Sequence, residues 1–476
     1  MQGKLTAFLI LNFLTFKALA QGEFYRPETP IKCGSSQKCP EAWPCCSPYG
    51  QCGTGPICLG GCNPRFSYNE TSCAPMPALV PPNNIEYFAG PLSYFDGDEN
   101  EKQLKSRGFL HFNKYLISGD DEEVQFMLDN IDFTYSGPVK IEENSGDVVL
   151  QMPKRSSGCL LATTKSFLYG KSSVRLKTAR SQGVITSVVV MSAAGDEIDL
   201  EFRGSELDKV QSNYYYRGEL IYNKMKEITV SSDTWANYHD YGIDWTADRI
   251  HWTVDGEIVR TLEKEETWDE NLKIYKYPET PMRLEVGLWP GGSENNHPGT
   301  IDWAGGLIDW ENSPDMIENG QFSAAVRSME VTPYSNRYIP AMQSCLEEED
   351  CITYDYVKKP NEIFDETSLA LYCGLAPNLS GWSQTGSSIS RDPFLLAKSF
   401  GKAQDREKEF VQNMNSTVTQ NMNNTTTQNM NNTVTQATNV TTSYNATNHG
   451  PEPIKVETSG QSSLYQRNPL FQIKGS

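Results

Sequence analysis

Asp196-Glu197-Ile198-Asp199-Leu200-Glu201-Phe202 alternates acid and hydrophobe. In a β-strand successive side chains point to opposite faces, so Glu197, Asp199 and Glu201 share one face and Ile198, Leu200 and Phe202 the other. The apolar face asks for a second layer to bury it, while three neighbouring carboxyls repel one another. Such a row suits glycosidic-bond chemistry, which needs one ionised carboxylate as nucleophile and one protonated carboxyl as acid, roughly 5–5.5 Å apart when configuration is retained. A third acid between them helps to separate their pKa values. Four residues of strand separate the outer α-carbons by about 13 Å, so the glutamates must lean together. A solvated acidic strand edge is the plain alternative.

Outward from this stretch, Gly183–Met191 (GVITSVVVM) reads as a buried strand feeding the acidic one. Val148–Met152, Ser173–Lys177, Ile250–Val254 and Met282–Val286 are further short strand candidates, and Asp255-Gly256 between β-formers predicts a tight hairpin. No long helical period occurs between these runs, so the region from about residue 87 reads as an all-β sandwich or barrel.

The chain of 476 residues is long enough for two or three domains, and its net charge of −19 argues against nucleic acid as a partner. Lys4, the apolar run Leu5–Phe16 and Ala18-Leu19-Ala20 read as a secretory signal over residues 1–20, too short to span a bilayer. An oxidising destination follows, and Cys33, Cys39, Cys45, Cys46, Cys52, Cys58, Cys62 and Cys73 read as a disulfide scaffold within 21–75 rather than a zinc site. Cys159, Cys345, Cys351 and Cys373 are numerous enough for two more disulfides of undecided pairing. His239 and His251 lack a second ligand at metal-binding spacing, so no metal or other cofactor is expected.

The proline-rich stretch Ala74–Asn84 reads as a stiff linker, assigned to residues 76–90. Residues 341–400 form a Cys-containing extension. From residue 401 the chain is Asn/Thr-rich, with Gln412–Thr419, Gln420–Thr427 and Gln428–Thr435 as copies of one eight-residue unit. Such a composition cannot bury enough apolar area to order itself, which predicts a disordered tail. Glycosylation sequons at Asn69, Asn378, Asn415, Asn423, Asn424, Asn431, Asn439 and Asn445 make that tail a glycosylated stalk. Gly460–Ser476 is polar, so no GPI-anchor signal is evident.

Two stretches carry resemblances. Cys45-Cys46-Ser47-Pro48-Tyr49-Gly50-Gln51-Cys52-Gly53 is similar to the hevein-like chitin-binding module over about Cys33–Cys62. That likeness implies Ser47 and Tyr49 as sugar contacts, with Gln51 and Pro56-Ile57 where two further rings would stand. The motif D-E-I-D-L-E resembles the D-E-I-D-x-E signature of glycoside hydrolase family 16. Tyr277–Asp309 (YPETPMRLEVGLWPGGSENNHPGTIDWAGGLID), Tyr241–Thr246 and Trp252–Gly256 resemble the family's fungal Crh branch, cell-wall enzymes that join chitin to glucan.

The resemblance implies a concanavalin-like jelly-roll catalytic domain, assigned to residues 91–340, with Glu197 as nucleophile, Asp199 as assisting carboxyl and Glu201 as acid/base. It also implies that Trp289 and Trp303 stack on sugars and that Arg283, Glu285 and Thr300 bond to them. Period two places Arg283, Glu285, Gly287 and Trp289 on one strand face, where an Arg283–Glu285 ion pair or core tryptophans are the structural alternatives. Asn213–Tyr216 is a further candidate wall. The expected protein is a secreted monomeric enzyme of the cell or spore wall, with chitin as donor and β-glucan as acceptor. A hydrolytic endo-β-glucanase and a non-catalytic wall lectin are the rivals.

Overall fold

The computed structural model describes residues 27, 29–53, 62–68, 72–73, 76–90, 104, 107–111, 131–219, 223–337, 339, 353–356 and 369–372. The signal segment, every sequon, Cys58, Cys345, Cys351, Cys373 and the tail lie outside the described residues.

Two eight-stranded sheets face each other as a sandwich. One runs in the order Lys226–Thr229, Lys209–Tyr215, Glu197–Arg203, Val184–Ser192, Met282–Pro290, Cys159–Thr163, Phe133–Ser136, Phe109–His111. The acidic strand is third from its edge. The other sheet is built around Gly170–Lys177 and the long strand Gln321–Pro333. All five strand candidates named from the sequence are present. The Asp255-Gly256 hairpin forms with both residues at positive φ, 52° and 85°, as its tight turn demands.

Alternation decides which way the acidic strand faces. Ile198, Leu200 and Phe202 are buried between the sheets, and Phe202 meets Tyr241 of the opposite sheet edge-on at 4.5 Å between ring centroids. Each such side chain removed from water contributes about 1.5–3 kcal/mol. Trp252, also in the opposite sheet, donates its indole N–H to the main-chain carbonyl of Asp199 at 3.0 Å. One layer therefore holds the backbone of the other in place. Pairing between Val184–Ser192 and the acidic strand runs unbroken from Ile185–Arg203 to Met191–Glu197, so Glu197, Asp199 and Glu201 all stay on the outer face.

The proline-rich stretch is packed rather than free. Met76–Pro77 pairs with Thr353–Tyr356, and Ile85–Phe88 pairs with Gln321–Pro333. The apolar residues between the prolines account for this, since Met76, Leu79, Val80, Ile85 and Tyr87 are all buried. In the N-terminal module, disulfides join Cys33–Cys46, Cys39–Cys52 and Cys62–Cys73, and Cys45 is also disulfide-bonded. The clustered sulfurs of Cys33, Cys39 and Cys46 are thus taken up in covalent bonds. Cys159 does not pair: it is a free thiol, 2% exposed, pointing into the sandwich core. His239 sits between Ser232 and Asp255 at 2.9 and 2.7 Å. No helix among the described residues is long and apolar enough to cross a membrane.

The W-P-G-G and W-A-G-G motifs meet at the end of the sheet. A Cβ on Gly292 would lie 2.2 Å from the Gly306 carbonyl oxygen, and the Gly292 amide donates to the Gly183 carbonyl at 2.8 Å. This contact seats the short helix Pro298–Trp303 over the outer face. Gly292→Ala is expected to cost about 1–3 kcal/mol through overpacking, read as a lowered denaturant midpoint in equilibrium unfolding.

Candidate active site

Asp196, just ahead of the strand, anchors the site from below. One carboxylate oxygen accepts from the Arg217 amide at 2.7 Å; the other accepts from the Glu279 and Thr280 amides at 2.9 and 3.1 Å and lies 2.7 Å from the Thr280 hydroxyl. Three loops are tied together at one buried carboxyl. Burial raises its pKa, while Arg217, Thr280 and the two amides pull it back. The sequence reading passed over this residue, although its place at the head of the alternation was a usable signal.

Glu197 and Glu201 are half-buried, and Asp199 between them is 1% exposed. Asp199 lies opposite Asn213, Glu197 opposite Tyr215 and Glu201 opposite Gln211. Burial pushes the Asp199 carboxyl well above the ordinary aspartate range, and the neighbouring Glu201 charge pushes the same way; Arg260 opposes them. One Asp199 oxygen is buried without a hydrogen-bond partner, which further disfavours the charged form. Asn213 and Tyr215 belong to the polar face, where the Asn213 amide donates to the Tyr215 hydroxyl at 2.8 Å. Tyr214 turns inward to the core instead.

On the far side of Val184–Ser192, Val189 stands between Asp199 and Glu285 in register. Arg283 and Glu285 form the buried ion pair that the sequence left as an alternative, at 3.1 Å. Trp289 is fully covered and stacks on Trp303, with centroids 5.9 Å apart and planes 18° from parallel. It is not an open platform in this arrangement. Trp303 is half-exposed and donates its indole N–H to the Gln211 side-chain oxygen at 2.7 Å, beside Glu201. Thr300 is buried in the short helix.

Ser47 and Tyr49 of the N-terminal module are not open to solvent as a pair. Ser47 is fully buried and accepts from the Gln51 amide at 3.2 Å. Tyr49 instead reaches across to donate its hydroxyl to Glu285 at 2.8 Å, packing with Leu160, Ile185, Trp289 and Ala304. Nothing local in the sequence pairs two residues so far apart.

The glycosyl hydrolases family 16 model matches residues 127–305. The chain is 47% identical over 398 residues to "Probable glycosidase CRR1" of Saccharomyces cerevisiae, covering 76% of this chain and 94% of that relative. This chain belongs to glycosyl hydrolase family 16, in its fungal Crh branch. "Crh-like protein UTR2" of Candida albicans is 41% identical over 302 residues, 63% of this chain and 58% of that protein. Among solved structures, one of a "Crh5 transglycosylase in complex with NAG" is 27% identical over 51% of this chain and 88% of that chain, with a TM-score of 0.41. As a family 16 member the protein is an enzyme, a glycosidase or transglycosylase acting on polysaccharide.

Two outcomes follow for the site. Because the folded pKa of Asp199 is raised, the folded chain holds a proton that the unfolded chain has lost. Stability therefore falls as pH rises from the ordinary aspartate range to the shifted value. Asp199→Asn should flatten that slope and match or exceed wild-type stability at neutral pH in denaturant unfolding, while losing activity. Asp196→Ala strands three main-chain amides and should cost at least about 2 kcal/mol in the same measurement.

Proposed function

We propose that this protein is a secreted cell-wall transglycosylase that cleaves chitin and transfers it to β-glucan with retention. The observation that carries the reading is the unbroken strand presenting Glu197, Asp199 and Glu201 on one outer face, with Asp199 desolvated between two more exposed glutamates. A Glu197 carboxylate oxygen attacks the anomeric carbon, forming a glycosyl ester as the glycosidic C–O bond breaks. Glu201 gives its proton to the departing oxygen. A glucan hydroxyl then enters, Glu201 takes its proton, and its oxygen displaces Glu197 from the same carbon. Burial pushes Asp199 toward its protonated form, in which it donates a hydrogen bond and holds the nucleophile's orientation.

Chitin as donor, glucan as acceptor, a monomeric state and a place in the cell or spore wall belong to the same proposal, supported by the likeness to Crh-type relatives. So do the signal segment at 1–20, the glycosylated stalk and the roles of Arg283, Glu285, Thr300 and Trp303 around the cleft, with the covered Trp289 backing the Trp303 ring instead of meeting sugar itself. Trp303, half-exposed beside Gln211, is the ring best placed to stack on a sugar.

The test incubates purified protein with chitin oligosaccharides and a fluorescent β-glucan oligosaccharide. Wild type is expected to make labelled hybrid chains, Glu197→Gln none, and Glu201→Gln roughly 10²–10⁴-fold fewer. Cleavage without hybrids would replace this reading with a hydrolase. Retention on chitin with no change in either sugar would replace it with a lectin.

A further inference from the structure

The N-terminal module lies against the outer face of the catalytic sheet. Besides the Tyr49–Glu285 bond, the Asn63 amide donates to the Ala194 carbonyl at 3.4 Å, in the loop that leads into the acidic strand. Arg65 is near enough to Arg217 to have its own pKa lowered, burial being the larger cause. The module thus reaches from the Trp289 cluster to the loops beside Glu197.

Its cover is one-sided. Arg283 and Glu285 are 5% and 4% exposed, whereas Glu197 and Glu201 remain partly open. Glu285 lies two strand spacings from Asp199, about 10 Å across the sheet. A glycan laid across the strands from the acidic row in that direction meets the Tyr49 ring and finds the Glu285 oxygen already bonded. In the other direction Gln211 and Asn213 stand on the neighbouring strand, and Trp303 reaches over the acidic row from the Trp289 cluster to bond Gln211.

The attachment argues for a fixed wall over a swinging lid. Cys73, locked to Cys62, is three residues from the buried strand Met76–Pro77, and the Leu79 amide then bonds the Ser166 carbonyl at 2.7 Å. Burial and the Glu285 charge also raise the Tyr49 hydroxyl's pKa, so it stays a donor across the working pH range.

We propose that Tyr49 is a specificity-determining residue, the end wall of the glycan cleft, which limits how many sugar units bind on the Arg283–Glu285 side. The module acts by shortening the cleft rather than by holding chitin on its own surface. This inference rests on the proposed cleft and deepens it.

The test uses the full chain in a Glu197→Gln background, with and without Tyr49→Ala, and calorimetric binding of chitin and β-glucan oligosaccharides of increasing length. With the wall present, affinity should stop rising beyond a short length; with Tyr49→Ala it should keep rising for at least one more unit. Tyr49→Phe keeps the ring and should retain the wild-type plateau, guarding against a folding defect, which thermal melting of all three forms checks. In the active enzyme, Tyr49→Ala should move cleavage further from the oligosaccharide end. An identical plateau in both forms overturns the wall, whatever the activity. Tighter binding at every length without a moved plateau overturns it in favour of a removable plug. Because binding is read without turnover, the expected length dependence in the Glu197→Gln background together with a wild type that makes no hybrids would sink the transglycosylase reading alone.

Discussion

A carboxyl that has lost its water governs this molecule. Asp199 sits mid-strand between two glutamates, with one oxygen buried and without a hydrogen-bond partner, and burial holds it toward the neutral form. An arrangement of this kind is costly in a folded chain, and the surroundings offset the cost. Trp252 grips the main chain of Asp199 from the opposite sheet, and the inward row Ile198, Leu200, Phe202 binds the strand to the core. The same period of two therefore supplies both the stability and the reactive row.

Asp196 extends the logic to the loops. Its carboxylate gathers amides from Arg217, Glu279 and Thr280, segments that border the site, so the acidic strand starts from a defined point. At the other end of the strand, Gly183, Gly292 and Gly306 pack so closely that no side chain fits between them, and that closeness sets Trp303 down beside Gln211. Polar anchoring at one end and steric closeness at the other leave the three acids little freedom to drift apart.

Much of this was legible from residue patterns. The alternation of Glu197–Arg203, the apolar run before it and the Asp-Gly hairpin are local signals, because strand period and turn chemistry act over a few residues. The Arg283–Glu285 pair was readable as an alternative because both stand on one strand face. The proline-rich stretch misled for an equally physical reason: proline predicts stiffness, but the hydrophobes between the prolines had a core within reach. Cys159 could be counted as a partner for other cysteines until its direction into the core was known.

The sequence by itself determined an all-β domain, a single strand face of acids and a disulfide-dense module, since each follows from short-range periodicity or from too few residues to build a core; periodicity left sandwich and barrel open, and the two facing sheets decided between them. Only the tertiary structure decided that Trp289 lies beneath Trp303, that Asp199 is desolvated while its neighbours are not, and that Tyr49 rests on Glu285. Those facts depend on which surfaces meet, in the case of Tyr49 and Glu285 across 236 residues of chain, and burial is a property of what covers a residue, not of the residue itself.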